Sequence, residues 1–316
     1  MSFKHTPVML HEVLRYLNCR PGKIYADCTL GGSGHARAIC KKIMPGGVFI
    51  GIDQDIDAIQ NARKILEPLD LSVHLFHENF IYLPDFLGQL KIKSVDGILL
   101  DLGLSLHQIE SSGRGFSFKR DEPLDMRMST AADTTAEDLI NRMAGNSLRK
   151  IFQEYGEERW SAQIARKIVQ QRNRNPIRSS KHLARIVCDA IPKPALFNQK
   201  IHPATRVFMA LRIAVNRELE MLDLFMKNVA DLLTPKGRLC ILSFHSLEDR
   251  IVKHRLKALE KSCVCPPDFP QCVCDQKSVI RILTKKIVRP TKDEIARNPM
   301  SRSTKLPAAE KIYWPG

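Results

Sequence analysis

Short apolar runs alternate with amphipathic stretches over the first hundred residues of the chain. The runs predict strands at Ile24–Cys28, Val48–Asp53, Val73–His77 and Val95–Asp101, and the stretches between them predict helices such as His35–Ile43 and Asp55–Leu66. Strands that are apolar on both faces are typical of a parallel sheet covered by helices on each side. The pattern therefore predicts an α/β fold with a buried parallel sheet.

The alternation stops in the middle of the chain. From about residue 134 to residue 233 the periodicity is helical, with a capping-box signal at Thr134–Glu137 and one long helix from about Thr205 to Leu233. Strand character returns at Gly237–Ser243, and Val279–Leu283 and Lys305–Ile312 are candidate closing strands. We predict a core of residues 1–106 and 216–316 and a helical insertion, residues 107–215, that recognises the substrate.

The turn after the first predicted strand is rich in glycine. It reads Gly31-Gly32-Ser33-Gly34, and Asp53 closes the next strand. Glycines permit a close backbone approach to a ligand, and an acid at the end of the second strand can bind the hydroxyls of a ribose. The turn lacks both the Gly-Lys-Ser/Thr of a phosphate loop and the dinucleotide glycine spacing. This combination favours S-adenosylmethionine over NAD, although a tight turn without a ligand would also explain the glycines.

Polar residues also follow other predicted strands. Asp101 ends the apolar run Ile98-Leu99-Leu100, and His245 follows the strand at Gly237–Ser243, with Ser246 as the expected helix N-cap. Ligands of open α/β sheets bind outside the carboxyl ends of the strands. We therefore expect Asp101 and His245 to face one crevice.

The formal net charge of +15 favours a polyanionic partner, most simply nucleic acid. One segment mixes aromatic rings and cations, namely Arg114, Phe116, Phe118, Lys119, Arg120 and Arg127. Rings stack on unpaired bases and cations hold phosphates, so these six residues are candidates for contact with single-stranded RNA. A loop anchored by its two phenylalanines is the alternative.

The cysteine usage bears on compartment and on metal binding. There are nine cysteines, several of them inside apolar segments, and no apolar run approaches the ~20 residues of a membrane span. We therefore expect reduced thiols, a cytoplasmic protein and no membrane partner. The pairs Cys263-Val-Cys265 and Cys272-Val-Cys274 suggest zinc, but structural zinc sites typically use longer C-x₂₋₄-C spacings, and unligated thiols are the alternative.

Taken together, these segments resemble the bacterial (cytosine-N4)-methyltransferases of 16S ribosomal RNA, also called MraW or RsmH. The matching segments are His5–Leu10, Thr29–His35, Gly97–Gly103, Arg114–Phe118, Pro123–Met128, His202–Arg206, Leu211–Asn216 and Ser243–Arg250. The resemblance implies a class I methyltransferase core, a Rossmann-like sheet with an inserted all-helical domain. It also implies methyl transfer from S-adenosylmethionine to N4 of a cytidine in the decoding region, which we expect within the 30S subunit.

Carried onto this sequence, the resemblance implies a set of cofactor contacts at Ser33, Gly34, His35, Asp53, Phe80, Asp101 and Gln108. For the reaction itself, Asp101, Ser105 and His245 are our candidates to accept a hydrogen bond from the cytosine amine and to take its proton. The cysteine pairs occur in only part of the family, so we expect no metal. The oligomeric state does not follow from the sequence.

Three other functions compete with this interpretation. A DNA amino-methyltransferase would share the chemistry but usually carries Pro-Pro-aromatic after the strand-four acid, where this chain has Leu102-Gly103-Leu104. An amino-methyltransferase acting on another RNA also remains open. A non-catalytic RNA-binding relative would explain the charge, but not the set of polar residues at the strand ends.

Overall fold

The structure is a computed structural model that describes residues 7–197, 201–263, 265, 274 and 277–313. The chain forms two compact units: Met1–Gly103 together with Leu219–Gly316, and Leu104–Glu218. The sequence had placed the corresponding boundaries at residues 106/107 and 215/216. The assignment of substrate recognition to the second unit stays a prediction.

A seven-stranded sheet forms the centre of the first unit. Its strands are β1 Ile24–Asp27, β2 Val48–Asp53, β3 Ser72–His77, β4 Val95–Asp101, β5 Leu233–Leu242, β6 Ile280–Ile282 and β7 Ala308–Lys311. The order is β3-β2-β1-β4-β5-β7-β6; the first five strands are parallel, and β7 runs antiparallel to both β5 and β6. This topology confirms the predicted class I, Rossmann-like methyltransferase fold.

Both faces of this sheet are covered by apolar side chains. In β4, Ile98 and Leu100 belong to the core on one face, whereas Leu99 belongs to the core on the other, and all three are fully buried. The helices of this unit are α1 Leu10–Leu17, α2 Gly34–Ile43, α3 Ile56–Leu66, α4 Leu83–Gln89, α12 Glu218–Asn228 (apart from its first residue), α13 Ser246–Glu260 and α14 Lys292–Arg297. Burial on two faces explains the uninterrupted apolar runs.

The second unit is helical around a core of its own. Its helices are α5 Leu106–Glu110, α6 Ala136–Arg142, α7 Gly145–Glu154, α8 Ser161–Arg172, α9 Ser180–Ala190, α10 Lys193–Phe197 and α11 Ala204–Asn216. The capping box lies one residue later than predicted: Thr135 Oγ1 accepts from Asp138 N at 3.1 Å, and Asp138 Oδ2 accepts from Thr135 N at 3.0 Å. Either register satisfies the spacing of the motif, and the neighbouring threonines made the sequence ambiguous.

The single long helix predicted over Thr205–Leu233 is wrong. Helices α11 and α12 meet at Arg217, whose φ of 51° is left-handed. Just before the break, the Asn216 amide donates to the Met126 carbonyl at 2.8 Å and accepts from Met128 N at 2.7 Å. The apolar stripe continues across the break, so periodicity alone could not reveal it.

Among the described residues, no helix is both long enough and apolar enough to cross a bilayer.

Candidate active site

The glycine-rich turn is joined to the acid at the end of β2. Gly31 N donates to Asp53 Oδ2 at 2.9 Å, and Asp55 N donates to Asp53 Oδ1 at 2.8 Å. Gly31 has a φ of 43°, in the left-handed region that glycine enters without steric cost. The two amides fix the orientation of a carboxylate that retains further lone pairs for a ligand.

The turn leads directly into α2. Ser33 is buried and has a φ of 60°, and its hydroxyl accepts from Asn61 Nδ2 at 3.4 Å. A side chain at Gly34 would place its Cβ 2.9 Å from Cδ of Pro7, closer than van der Waals contact permits. The N-terminal segment at Pro7 therefore packs on the turn, and only glycine fits beneath it.

His35 links α2 to the end of β4. Its Nε2 atom lies 2.9 Å from the Val8 carbonyl, which can only accept, so Nε2 carries a proton. Its Nδ1 atom lies 3.4 Å from Asp101 Oδ2. Burial alone would lower the pKa of His35, but the hydrogen bond to Asp101 and the charges of Asp101 and Asp27 raise it overall. The imidazolium form is thus favoured beside these carboxylates.

Asp27, Asp53, Asp101 and His35 form a charged cluster at this edge of the sheet. Two of its carboxylate oxygens, Asp27 Oδ2 and Asp101 Oδ1, are buried and lack a hydrogen-bond partner among the described residues. Thr29 holds both acids, because its N–H donates to Asp27 Oδ1 at 3.1 Å and its Oγ1 accepts from Asp101 N at 2.5 Å. Buried polar atoms are rarely left without a partner, so each such oxygen suggests a missing ligand.

The electrostatics of the cluster indicate the charge of that ligand. Burial raises the pKa of Asp27 to about 7, opposed by the charge of His35 and reinforced by Asp101 and Asp53. Burial also raises the pKa of Asp53 to about 6, opposed by the backbone bonds from Gly31 and Asp55. A cationic ligand would relieve this clustering of carboxylates, whereas the pyrophosphate of a dinucleotide would be repelled. The residues therefore fit S-adenosylmethionine, which carries a sulfonium and an ammonium group.

Phe80 follows β3 at the same edge of the sheet. It opens a 3₁₀ turn, Phe80–Tyr82, capped by Asn79, whose Oδ1 accepts from Ile81 N at 3.0 Å. The ring is buried and meets Phe225 edge-to-face at 5.3 Å. Most of Phe80 is therefore core, and its contact with a cofactor stays a prediction.

His245 lies at the predicted corner, after β5, but its side chain has a local role. The predicted Ser246 cap is wrong: His245 is the N-cap of α13, and its Nδ1 accepts from Glu248 N at 3.4 Å. Glu248 completes the capping box, because its Oε2 accepts from His245 N at 3.3 Å. The same oxygen accepts from Phe244 N at 2.8 Å, and Glu248 Oε1 lies 3.1 Å from His245 Nε2. The imidazole nitrogen replaces the hydroxyl that the sequence had suggested. An action of His245 on substrate stays a prediction.

Ser105 and Gln108 belong to the second unit. They form the capping box of α5, in which Gln108 N donates to Ser105 Oγ at 3.2 Å and Ser105 N donates to Gln108 Oε1 at 3.0 Å. Both side chains thus build the start of the helix that follows β4 in the chain. Their predicted roles in proton transfer and cofactor binding stay predictions.

The aromatic and basic loop of the second unit points several of its side chains inward. Arg114 is buried; its Nη1 donates to the carbonyls of Arg127 and Met128 at 3.0 Å, and its guanidinium lies 5.5 Å from the ring centroid of Phe116. Arg127 is held by Asp125 at 2.7 and 2.8 Å. These contacts support the conformation of the loop.

The remaining predicted RNA-binding residues are more accessible. Phe118 is half-buried and stacks on His202 with ring centroids 4.3 Å apart. Lys119 and Arg120 are exposed, although Arg120 donates to the carbonyl of Glu110. The cations that can reach a phosphate without leaving a buried partner are therefore Lys119 and Arg120.

Sequence reasoning missed two groups that hold the site together. The Thr29 hydroxyl bonds a residue of β4, and the Val8 carbonyl orients His35 across the turn. Both belong to short motifs of the sequence, but a contact between segments distant in sequence has no local signal. Asp27 lies near the end of the predicted strand Ile24–Cys28, but the lack of a partner for its Oδ2 among the described residues emerges only from packing.

Comparison with known proteins gives full-length matches. Residues 2–312 match the MraW methylase family. The chain is 54% identical over 312 residues to "Ribosomal RNA small subunit methyltransferase H" of Desulforapulum autotrophicum, covering 99% of this chain and 100% of that protein. It is 53% identical over 312 residues, with the same coverage, to the protein of that name from Desulfosudis oleivorans, and 47% identical over 309 residues to that of Halothermothrix orenii, covering 98% and 99%.

Proposed function

The chain belongs to the MraW methylase family, and we propose that it transfers a methyl group from S-adenosylmethionine to the exocyclic N4 of a specific cytidine in the decoding region of 16S ribosomal RNA. The names of its full-length relatives support the reaction class and the small-subunit RNA. The choice of N4 and of the decoding region rests on the motif resemblance. We propose the assembled 30S subunit in the cytoplasm as the substrate.

The cofactor would be held by residues of the first unit. Asp53, oriented by Gly31 and Asp55, would accept from the ribose hydroxyls. The turn Ser33–His35 and the acids Asp27 and Asp101 would face the positively charged end. When bound, the cofactor supplies an activated methyl group on its sulfonium. Phe80 and Gln108 are further predicted contacts.

Asp101 is the residue we assign to the amine of the cytosine. The N4 lone pair is delocalised into the ring, so an acceptor must bind N4–H and direct the lone pair toward the methyl group. His35 faces Oδ2 of Asp101 at 3.4 Å, and Oδ1 has no hydrogen-bond partner among the described residues. N4 must lose one proton as it gains the methyl group, and we assign Asp101 Oδ1 as its first acceptor, with Ser105 and His245 as the alternatives.

The second unit would bind the RNA. The net charge of +15 favours a polyanion, and Lys119 and Arg120 are exposed beside Phe118. Single-stranded RNA allows a base to leave its stack at low cost, which an enzyme acting on a base requires. We propose that Arg114, Phe116 and Arg127 act by shaping this loop.

The observation that carries the proposal is the buried, unpartnered oxygen of Asp101 within an acidic cluster beside the glycine-rich turn. The test is transfer of isotopically labelled methyl groups from S-adenosylmethionine to purified 30S subunits that lack the modification. Deproteinised 16S RNA, 50S subunits and duplex DNA serve as comparisons. We expect label in the 16S RNA of 30S subunits. Label confined to DNA or 50S RNA, or absent everywhere, would contradict the proposed function.

A further inference from the structure

Three thiols converge in the segment between the end of α13 and β6, which contributes no residue to the candidate active site. The sulfur atoms of Cys263, Cys265 and Cys274 all lie within 4.8 Å of one another. Cys263 is exposed and the other two are half-buried. A fourth cysteine, Cys272, stands two positions before Cys274 in the sequence and lies outside the described residues.

The separation of the sulfurs suits a tetrahedral metal ion. The Sγ atoms of Cys263 and Cys274 are 3.8 Å apart, nearly twice the ~2.05 Å of a disulfide bond. A zinc–sulfur bond of about 2.3 Å in tetrahedral geometry separates two ligand sulfurs by about 3.8 Å. The two thiols therefore have the spacing of ligands of one zinc ion rather than of a bonded pair.

The local backbone supports the same assignment. Cys265 N donates to Cys263 Sγ at 3.4 Å, and hydrogen bonds to a ligand atom are typical of the groups that orient metal ligands. The sulfur atoms of Cys263 and Cys265 lie within 4.8 Å of each other, so this C-x-C pair can present both sulfurs to one ion. The short spacing that argued against zinc from sequence is therefore no obstacle here.

The segment that carries these thiols is closed at its base. Val279 N donates to the Leu259 carbonyl at 2.9 Å, and Ile282 N donates to Glu260 Oε1 at 2.7 Å. Cys263 and Cys274 thus approach each other from the two arms of one loop. A metal ion bound by thiols of both arms would fix the two arms to each other.

Other thiols of the chain are poor metal ligands by comparison. Burial raises the pKa of Cys40 to about 12 and raises that of Cys240 further. A metal binds the thiolate and not the thiol, so such buried groups stay protonated and inert. Only the loop between α13 and β6 combines accessible sulfurs with convergence among the described residues.

We propose that Cys263, Cys265 and Cys274 bind one zinc ion that joins the two arms of the loop between α13 and β6. Three soft thiolates within 4.8 Å of one another select zinc over hard cations such as magnesium. The ion has a structural role, and its binding is independent of S-adenosylmethionine and RNA. This departs from the expectation, drawn from the resemblance, that no metal is bound.

The test measures metal content rather than activity. The full-length chain, carrying no histidine tag, is produced in zinc-supplemented medium under reducing conditions, and zinc per chain is measured by mass spectrometry after extensive dialysis. We expect about one zinc per chain in the wild type. Cys263→Ser and Cys274→Ser should each weaken zinc binding by at least about tenfold. Even the loss of a group that only hydrogen-bonds to a metal ligand lowers metal affinity by about 10- to 100-fold. Cys188→Ser, a half-buried thiol of α9, is the control and should keep its zinc.

A second measurement needs no variant. Cobalt added to the metal-free wild type should give the thiolate-to-cobalt charge-transfer band and the visible bands of a tetrahedral site, and zinc should abolish them. Zinc binding should also raise the melting temperature of the wild type. Wild-type protein that holds no zinc and gives no cobalt–thiolate band would overturn the proposal. A Cys263–Cys274 disulfide in reduced preparations, or iron and sulfide in place of zinc, would overturn it equally.

Discussion

The Nδ1 atom of His35 lies 3.4 Å from Oδ2 of Asp101, while the opposite ring nitrogen of His35 bonds the Val8 carbonyl. Both ring nitrogens are thus engaged, and the imidazole cannot rotate without losing a buried partner. Asp101 is oriented in turn, with Oδ1 as the oxygen left available. A histidine in the first turn of α2 therefore positions the acid assigned to the cytosine amine.

Asp27→Asn tests the electrostatics of this cluster. The pKa of Asp27 is raised by burial to about 7 in the folded protein, from an ordinary value of 3.8. The folded state therefore binds this proton more tightly than the unfolded state. The resulting stabilisation is full below pH 4 and is lost as the pH rises through 7.

The expected result is a flatter dependence of stability on pH. Between pH 5 and pH 8 the variant should lose roughly 2–3 kcal/mol less unfolding free energy than the wild type. Asp53 and His35, whose pKa values are also raised, would supply the slope that remains. Urea denaturation at several pH values measures this, with the exposed Asp70→Asn as control. If the unfolding free energies of Asp27→Asn and the wild type changed with pH by the same amount, the pKa of Asp27 would not be raised by burial.

Asp53→Ala tests the ribose assignment. Two charge-assisted hydrogen bonds would be lost, and after compensation by water we expect binding of S-adenosylmethionine to weaken by about 1.5–3 kcal/mol, or about 10- to 150-fold. Calorimetric titration measures the affinity directly. The control Asp70→Ala should bind as the wild type does. Undiminished binding by Asp53→Ala would remove Asp53 from the cofactor site.

The pair Lys119→Ala/Arg120→Ala tests the proposed RNA surface. Loss of two phosphate contacts should weaken RNA binding and reduce the salt dependence of log K by about 1.4, since each contact to a single strand contributes about 0.7. Arg149→Ala/Lys150→Ala removes the same charge from the exposed face of α7. Fluorescence anisotropy at several salt concentrations compares the two variants. Equal losses would indicate non-specific attraction, and no loss in either would exclude the loop.

Two substitutions of His245 distinguish a structural role of this residue from a chemical one. Asn is a good N-cap and Ala is a poor one, with a cost of about 1 kcal/mol in stability. If His245 only caps α13, His245→Asn should restore both stability and turnover relative to His245→Ala. We predict that Asn restores stability alone and that single-turnover methyl transfer stays about 10²–10⁴-fold slow in both variants. Wild-type rates in His245→Asn would assign the residue to the cap only.

The sheet was predictable from sequence where burial on both faces produced unbroken apolar runs. Val48–Asp53 and Val95–Asp101 have the bounds that the pattern predicted. The break at Arg217 was not predictable, because it depends on Asn216 bonding a loop about ninety positions away. Local periodicity contains no information on such long-range contacts.

The candidate site was likewise predictable from sequence only in part. Strand-end acids could be located because parallel strands bring their carboxyl ends to one edge of the sheet. Which side chains face outward could not be inferred: Arg114 and Phe116 read as RNA contacts, yet both are buried. Likewise, an imidazole serving as a helix cap at His245 has the same sequence signal as a catalytic histidine.

Identification of the modified nucleoside distinguishes methylation of the cytosine amine from methylation of any other atom of the RNA. Unmodified 30S subunits are incubated with the wild-type protein and labelled S-adenosylmethionine, and the 16S RNA is digested to nucleosides for chromatography and mass spectrometry. The proposed mechanism predicts label in N4-methylcytidine and its loss in Asp101→Ala. Label in 5-methylcytidine or in any other nucleoside, or unchanged N4-methylcytidine formation by Asp101→Ala, would contradict it.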